Sequence, residues 1–137
     1  VTRQSEQELI LRGFAGLLAA EPPVVTWRDD GSAYEDGETA LVFGEMTPSG
    51  RCVALTVYDV EDLDRSSRRY WVQARIRTSS DPLDLGLVDD VHDVLAWRRH
   101  PPMPAGIDVV QIVPRAFARL GRIGGEFVFS RNFSALT

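Results

Sequence analysis

The stretch from Arg69 to Thr78 constrains this chain most. Tyr70, Val72, Ala74, Ile76 and Thr78 alternate with Arg69, Trp71, Gln73, Arg75 and Arg77. A period of two is the mark of an extended strand with one apolar and one polar face. A second such run precedes it. Arg51–Val60 is rich in β-branched residues, with Val53, Leu55, Val57 and Asp59 on one side and Cys52, Ala54, Thr56 and Tyr58 on the other. The connection, Asp59 to Arg68, is almost entirely charged or polar. Two strands joined in this way predict an extended antiparallel hairpin whose apolar face needs a cover.

The cover comes from two amphipathic segments. Ser5 and Glu8 form a capping box, and Leu9, Ile10, Phe14, Leu17 and Leu18 recur at three- and four-residue steps. A helix over 5–20 follows, ended by Glu21-Pro22-Pro23 because proline cannot continue the ladder. A second helix is expected from Pro82 or Leu83 to Arg98. Asp81 would be its N-cap, Leu87, Val88, Val91, Val94 and Leu95 its buried stripe, and Arg98-Arg99 would complement its C-terminal dipole. Further strands are expected at Val24–Trp27, Ala40–Glu45, Asp108–Val113, where Pro114 cuts the run, and Glu126–Leu136, with a turn-rich link at Leu120–Gly125 and Pro101–Pro104 as a stiff surface connector. The order α-β-β-β-β-α-β-β makes an α+β fold, a mostly antiparallel sheet covered on one face by two helices. The 137 residues suit one domain, 1–137, large enough for an ordinary core.

Charge is distributed unevenly. All fifteen basic residues are arginine, which reflects GC-rich coding rather than any site. Residues 1–64 carry thirteen acids against four arginines, a net of −9, and residues 65–137 seven acids against eleven arginines, a net of +4. A net charge of −5 disfavours nucleic-acid reading, which relies on neutralising phosphates. Two halves of opposite sign can instead present complementary poles to neighbours. No apolar run reaches 18 residues, so no membrane-spanning helix is expected, and Val1–Glu8 is too polar for a secretory signal. The single cysteine, Cys52, lies in an apolar run and reads as a small core residue.

Catalytic patterns fail in turn. His92 and His100 have no third ligand for zinc, and Gly121-x-x-Gly124-Gly125 lacks the ending of a phosphate loop. The acidic runs lack the glycine and terminal glutamate of a calcium loop, and Ser49-Gly50-Arg51 is a turn, not a nucleophile elbow. Trp27, Trp71 and Trp97 suit a core or an interface as well as a ligand. The chain is expected to be no enzyme and to need no metal or cofactor.

Taken together, several segments are recognisable. They are Arg75-Ile-Arg-Thr78, then Asp81-Pro-Leu-Asp-Leu, Val91-His-Asp-Val-Leu95, Val109-Val-Gln-Ile-Val-Pro114, Phe117-Ala-Arg-Leu-Gly121 and Phe127-Val-Phe-Ser-Arg-Asn-Phe133. In this order, behind an amphipathic helix and a charged hairpin, they resemble the tail terminator proteins of long-tailed bacteriophages, often described as minor capsid proteins. The resemblance spans nearly the whole chain and rests on element order rather than on an invariant motif. It implies a structural virion protein assembled in the host cytoplasm and placed at the tail–neck junction. Such proteins form a homo-oligomeric, hexameric ring on the tail tube protein, stop its polymerisation, and offer a surface to the head connector or stopper protein. DNA passes through the lumen without being read.

Two expectations about sites follow. Acidic loops, Asp29-Asp30 with Glu35, Asp36 and Glu38, or the cluster Asp59, Glu61, Asp62 and Asp64, are expected to face the lumen, where phosphates must not bind. The outward row Arg69, Trp71, Arg75 and Arg77, together with Arg98 and Arg99, is expected at a subunit or partner interface. Another neck or tail ring protein (head completion or tube) is the nearest rival, and a small-ligand binding module a more distant one.

Overall fold

The first helix forms where its cap predicts it. The structure, a computed structural model, describes residues 5–137; residues 1–4, the start of the segment read above as too polar for a secretory signal, lie outside it. Helix α1 spans Glu6–Ala19, and the Ser5 hydroxyl accepts the Glu8 N–H at 3.1 Å. Leu9, Ile10, Phe14, Leu17 and Leu18 are all buried. Strands β1 (Ala40–Phe43), β2 (Cys52–Asp62) and β3 (Arg68–Arg77) follow, then helix α2 (Gly86–Leu95) and strands β4 (Gln111–Ile123) and β5 (Glu126–Leu136). The sheet order is β1-β2-β3-β5-β4, antiparallel throughout except for the parallel β1–β2 pair. The fold is therefore α+β, with both helices on one face of the sheet.

The core lies between that face and the helices. Val53, Leu55, Tyr70, Val72, Ala74, Ile76, Phe129 and Phe133 meet Ile10, Phe14, Leu18, Leu87, Val91 and Leu95. Phe14 and Phe133 pack edge to face with ring centroids 6.4 Å apart. Each fully buried large side chain contributes about 1.5–3 kcal/mol, so this layer holds the helices in place. Cys52 is buried and free.

Several expectations need correction. Val24–Trp27 makes an isolated bridge, Thr26 to Ala40, and not a strand. Half of the charged link between β2 and β3 is strand, because Glu61 and Asp62 pair across the ladder with Arg69 and Arg68. A bulge between Val57 and Asp59 adds a residue and turns Asp59 to the face of Trp71, away from Val57. Helix α2 begins at Gly86, since Asp81 spends its carboxylate on the Leu83 N–H in a turn of its own, and it ends at Leu95, leaving Arg98 and Arg99 beyond it. The Pro101–Pro104 connector does not simply run over the surface: Pro101 is buried, and a Cβ on Gly13 of α1 would lie 2.2 Å from the Met103 Cε.

The largest difference concerns β4. Pro114 does not cut it; the strand runs on to Ile123 with bulges at 114–117 and 119–121. Ile112 turns its N–H away from β5 toward Arg98 O, so alternation puts Pro114 on the outer rim, where no ladder donor is needed. Gly121, at φ +93, occupies the second bulge, and Gly124 and Gly125, both at positive φ, close the two-residue hairpin turn. Among the described residues no helix is long and apolar enough to cross a membrane.

Candidate functional site

The two acidic segments sit at opposite ends of the sheet. Asp62 pairs with Arg68 at one end of the β2–β3 hairpin and Cys52 with Arg77 at the other, about 30 Å away at strand rise. The 59–64 cluster is largely settled within the chain. Glu61 Oε1 takes Arg69 Nη1 at 3.0 Å, and Asp62 Oδ1 takes Arg68 Nε at 2.9 Å. Asp64 accepts the N–H groups of Ser66 and Ser67, both at 2.8 Å, which holds its carboxyl below the ordinary range. Asp59 accepts the Val60 N–H.

The 28–38 loop closes over the outer rim of β1. Thr26 bridges Ala40, and the Tyr34 hydroxyl donates to Leu41 O. Arg28 and Glu38 pin the base of the loop at 2.8 and 3.0 Å, the guanidinium and then the Glu35 N–H holding the Glu38 carboxyl down. Asp29 pairs with Arg12 of α1. Asp30, Glu35 and Asp36 are exposed and make no ion pair among the described residues. Glu35 and Asp36 line an end groove of about 570 Å³ formed by loop 34–38, the 47–51 turn, Thr78, Ser79 and Glu126.

Of the outward row of β3, Arg69, Trp71 and Arg75 are half-exposed. Arg69 and Arg115 lie over the Trp71 ring at 6.0 and 4.9 Å, and Tyr58 leans on it with centroids 6.5 Å apart. Arg75 donates to Gly44 O at 2.8 Å. Arg77 does not belong to the row: it is 8 % exposed and staples the preceding turn through Gly50 O and Thr47 Oγ1. Arg98 and Arg99 are exposed in a strap that runs beside β4, where Arg99 bridges Gln111.

Sequence reasoning missed the rest of that rim. Arg115–Ile123 is exposed residue after residue. Arg131, one strand in, has its guanidinium 4.6 Å over the Phe117 ring and 3.6 Å from Asp89. Phe117 in turn stacks on Phe129, centroids 6.1 Å apart. The signal was present in the alternation around Phe117-Ala-Arg-Leu, once an edge strand is allowed to carry proline.

The whole fold has a counterpart among solved structures. No family model matches the sequence, and no curated protein matches it. The chain is similar to a chain in the structure described as "Virion of native gene transfer agent (GTA) particle", with a TM-score of 0.70, 14 % identity and 98 % of each chain covered. The likeness is one of fold. It runs over nearly the whole of both chains.

Among the described residues no group of three or more His, Cys, Asp and Glu stands together as a metal site. His92 meets Asp93 at 3.3 Å on α2. Unpaired arginines, unpaired carboxylates and half-exposed aromatics are the groups on offer.

Proposed function

We propose that this chain is a structural, non-enzymatic virion protein of a long-tailed phage or phage-like particle, and that it acts as the tail terminator. Its copies form a ring, in the family's case hexameric, on the last layer of tail-tube subunits. The ring halts polymerisation and presents a surface to the head connector or stopper, and DNA crosses its lumen unread. The observation that carries this reading is the full-length likeness to a chain of a gene transfer agent virion. The order of elements and the segments from Arg75 to Phe133 support the narrower role.

The test is the assembly state of the purified protein, by light scattering and negative-stain imaging, alone and with the tail-tube protein of the same particle. Rings, or caps on tube ends, are expected. Rings that join the head connector and ignore tubes would mark a head-completion protein instead. A monomer or dimer indifferent to both would end the reading and favour a ligand-binding module.

A further inference from the structure

The outer rim of β4 is open over half its length. Its first residues are covered by the strap after α2, through the Arg99–Gln111 bridge and the bond from Ile112 N–H to Arg98 O. Beyond them Phe117, Leu120 and Ile123 are 42, 45 and 61 % exposed. Arg115, Arg119 and Arg122 lie among them and form no ion pair among the described residues. An unpaired strand edge that exposes large apolar side chains is a surface for association.

The opposite rim carries the complement. There Phe43 is 38 % exposed, edge-on to Trp27 at 6.2 Å, and the loop beside it holds Asp30, Glu35 and Asp36, whose carboxylates form no ion pair among the described residues, Asp30 accepting the Ser32 N–H of its own turn. The two rims also match in height. Ladder pairs link Phe43 to Leu55, Ala74, Arg131 and Phe117 in one row across the sheet, and Ala40 to Cys52, Arg77, Val128 and Gly121 in another. A rotation about an axis along the strands preserves height, so it brings Phe117 of one copy to Phe43 of the next and sets Arg119 and Arg122 against the acidic loop.

We infer that the β4 rim of one copy docks head to tail on the Phe43–acidic-loop wall of a second copy. This rests on the ring reading above and names its contact surfaces. Two different patches that meet in this way are the heterologous contact from which a closed ring is built. Pairing two β4 rims with each other would set Arg119 and Arg122 against arginines, an arrangement that like charge opposes. The end groove opens beside Glu35 and Asp36 on that wall. Asp30, Glu35 and Asp36 thus stand at the seam between copies rather than on the lumen wall.

The experiment uses two charge-swapped full-length variants, Arg119→Glu/Arg122→Glu and Glu35→Arg/Asp36→Arg. Both alter exposed side chains, and thermal unfolding checks that each is folded. Each alone should need at least about tenfold more protein to assemble than the wild type. Mixed in equal amounts they should regain wild-type assembly, because alternating copies restore every contact in an even-numbered ring. If the wild type assembles and either variant does so equally well, or the folded mixture stays apart, this docking is overturned and the ring reading stands. If the wild type assembles neither alone nor with tail tubes, both fall.

Discussion

The two hairpins of this sheet use arginine in opposite ways. In β2–β3 the arginines answer carboxylates across the ladder, Arg69 with Glu61 and Arg68 with Asp62. The strands on either side of that ladder bury Val53, Leu55, Val72 and Ile76 to 0 % exposure. In β4–β5 the strands differ: β5 reaches the core through Phe129, Phe133 and Ala135, and β4 only through Ile112. Phe129 and Phe133 are buried, while Arg119 and Arg122 on the neighbouring strand rest on aromatic faces, 5.6 Å from Phe129 and 5.3 Å from Phe127. Guanidinium over an aromatic ring keeps its charge and its hydrogen-bond donors available. The first hairpin closes its electrostatics within the chain. The second leaves Arg119 and Arg122 without an ion pair among the described residues.

The largest expected effects separate the two strands of the second hairpin. Phe133→Ala empties a site that is 0 % exposed and in edge contact with Phe14, and should cost about 3–5 kcal/mol of stability in denaturant unfolding. Phe117→Ala, on a side chain 42 % exposed, should cost less than about 1.5 kcal/mol and weaken assembly instead. If Phe117→Ala destabilises the monomer as much as Phe133→Ala, β4 belongs to the core and the contrast collapses.

How much of this was legible follows from what fixes each element. The β2–β3 hairpin, α1 and the buried stripe of α2 were readable because binary patterning decides them: Tyr70, Val72, Ala74 and Ile76 can be buried together only in a strand, and Leu9, Phe14 and Leu17 only on a helix. The start of α2 was misread because Asp81 serves its own turn as readily as a cap, a competition that local sequence does not resolve. The end of β4 was misread because Pro114 and Gly121 are breakers in a central strand but bulge and rim residues in an edge strand. Whether a strand is an edge depends on the order β1-β2-β3-β5-β4, which no local pattern contains. The site divides the same way. The acidic runs were visible, but which of their carboxylates stay unpaired depends on the register that sets Glu61 beside Arg69.

An intermediate effect comes from the tie between the 47–51 turn and the approach to α2. Arg51 holds Asp84 through two bonds, 2.6 and 3.2 Å. That bond, then one from Ser79, lowers the Asp84 carboxyl from its ordinary value. A depressed carboxyl contributes stability above the unfolded aspartate range and loses it as the pH falls through the folded value. Asp84→Asn should therefore cost about 1 kcal/mol near neutrality, and the difference from wild type should shrink once the pH drops below about 4. A difference that persists unchanged into acid would show that packing, not charge, makes the tie.

The smallest effect tests the first hairpin itself. Arg69 and Glu61 are paired at 3.0 Å, but the Glu61 side chain is 46 % exposed, so solvent and salt screen the pair. A double-mutant cycle with Arg69→Ala and Glu61→Ala should give a coupling of about 0.5 kcal/mol or less, fading in high salt. Neither variant should change assembly, because both charges are already satisfied within the chain. If Arg69→Ala disrupts rings as strongly as Arg119→Glu/Arg122→Glu, the Trp71 face and not the β4 rim joins the copies, and the contrast between settled and unsettled arginines would lose its meaning.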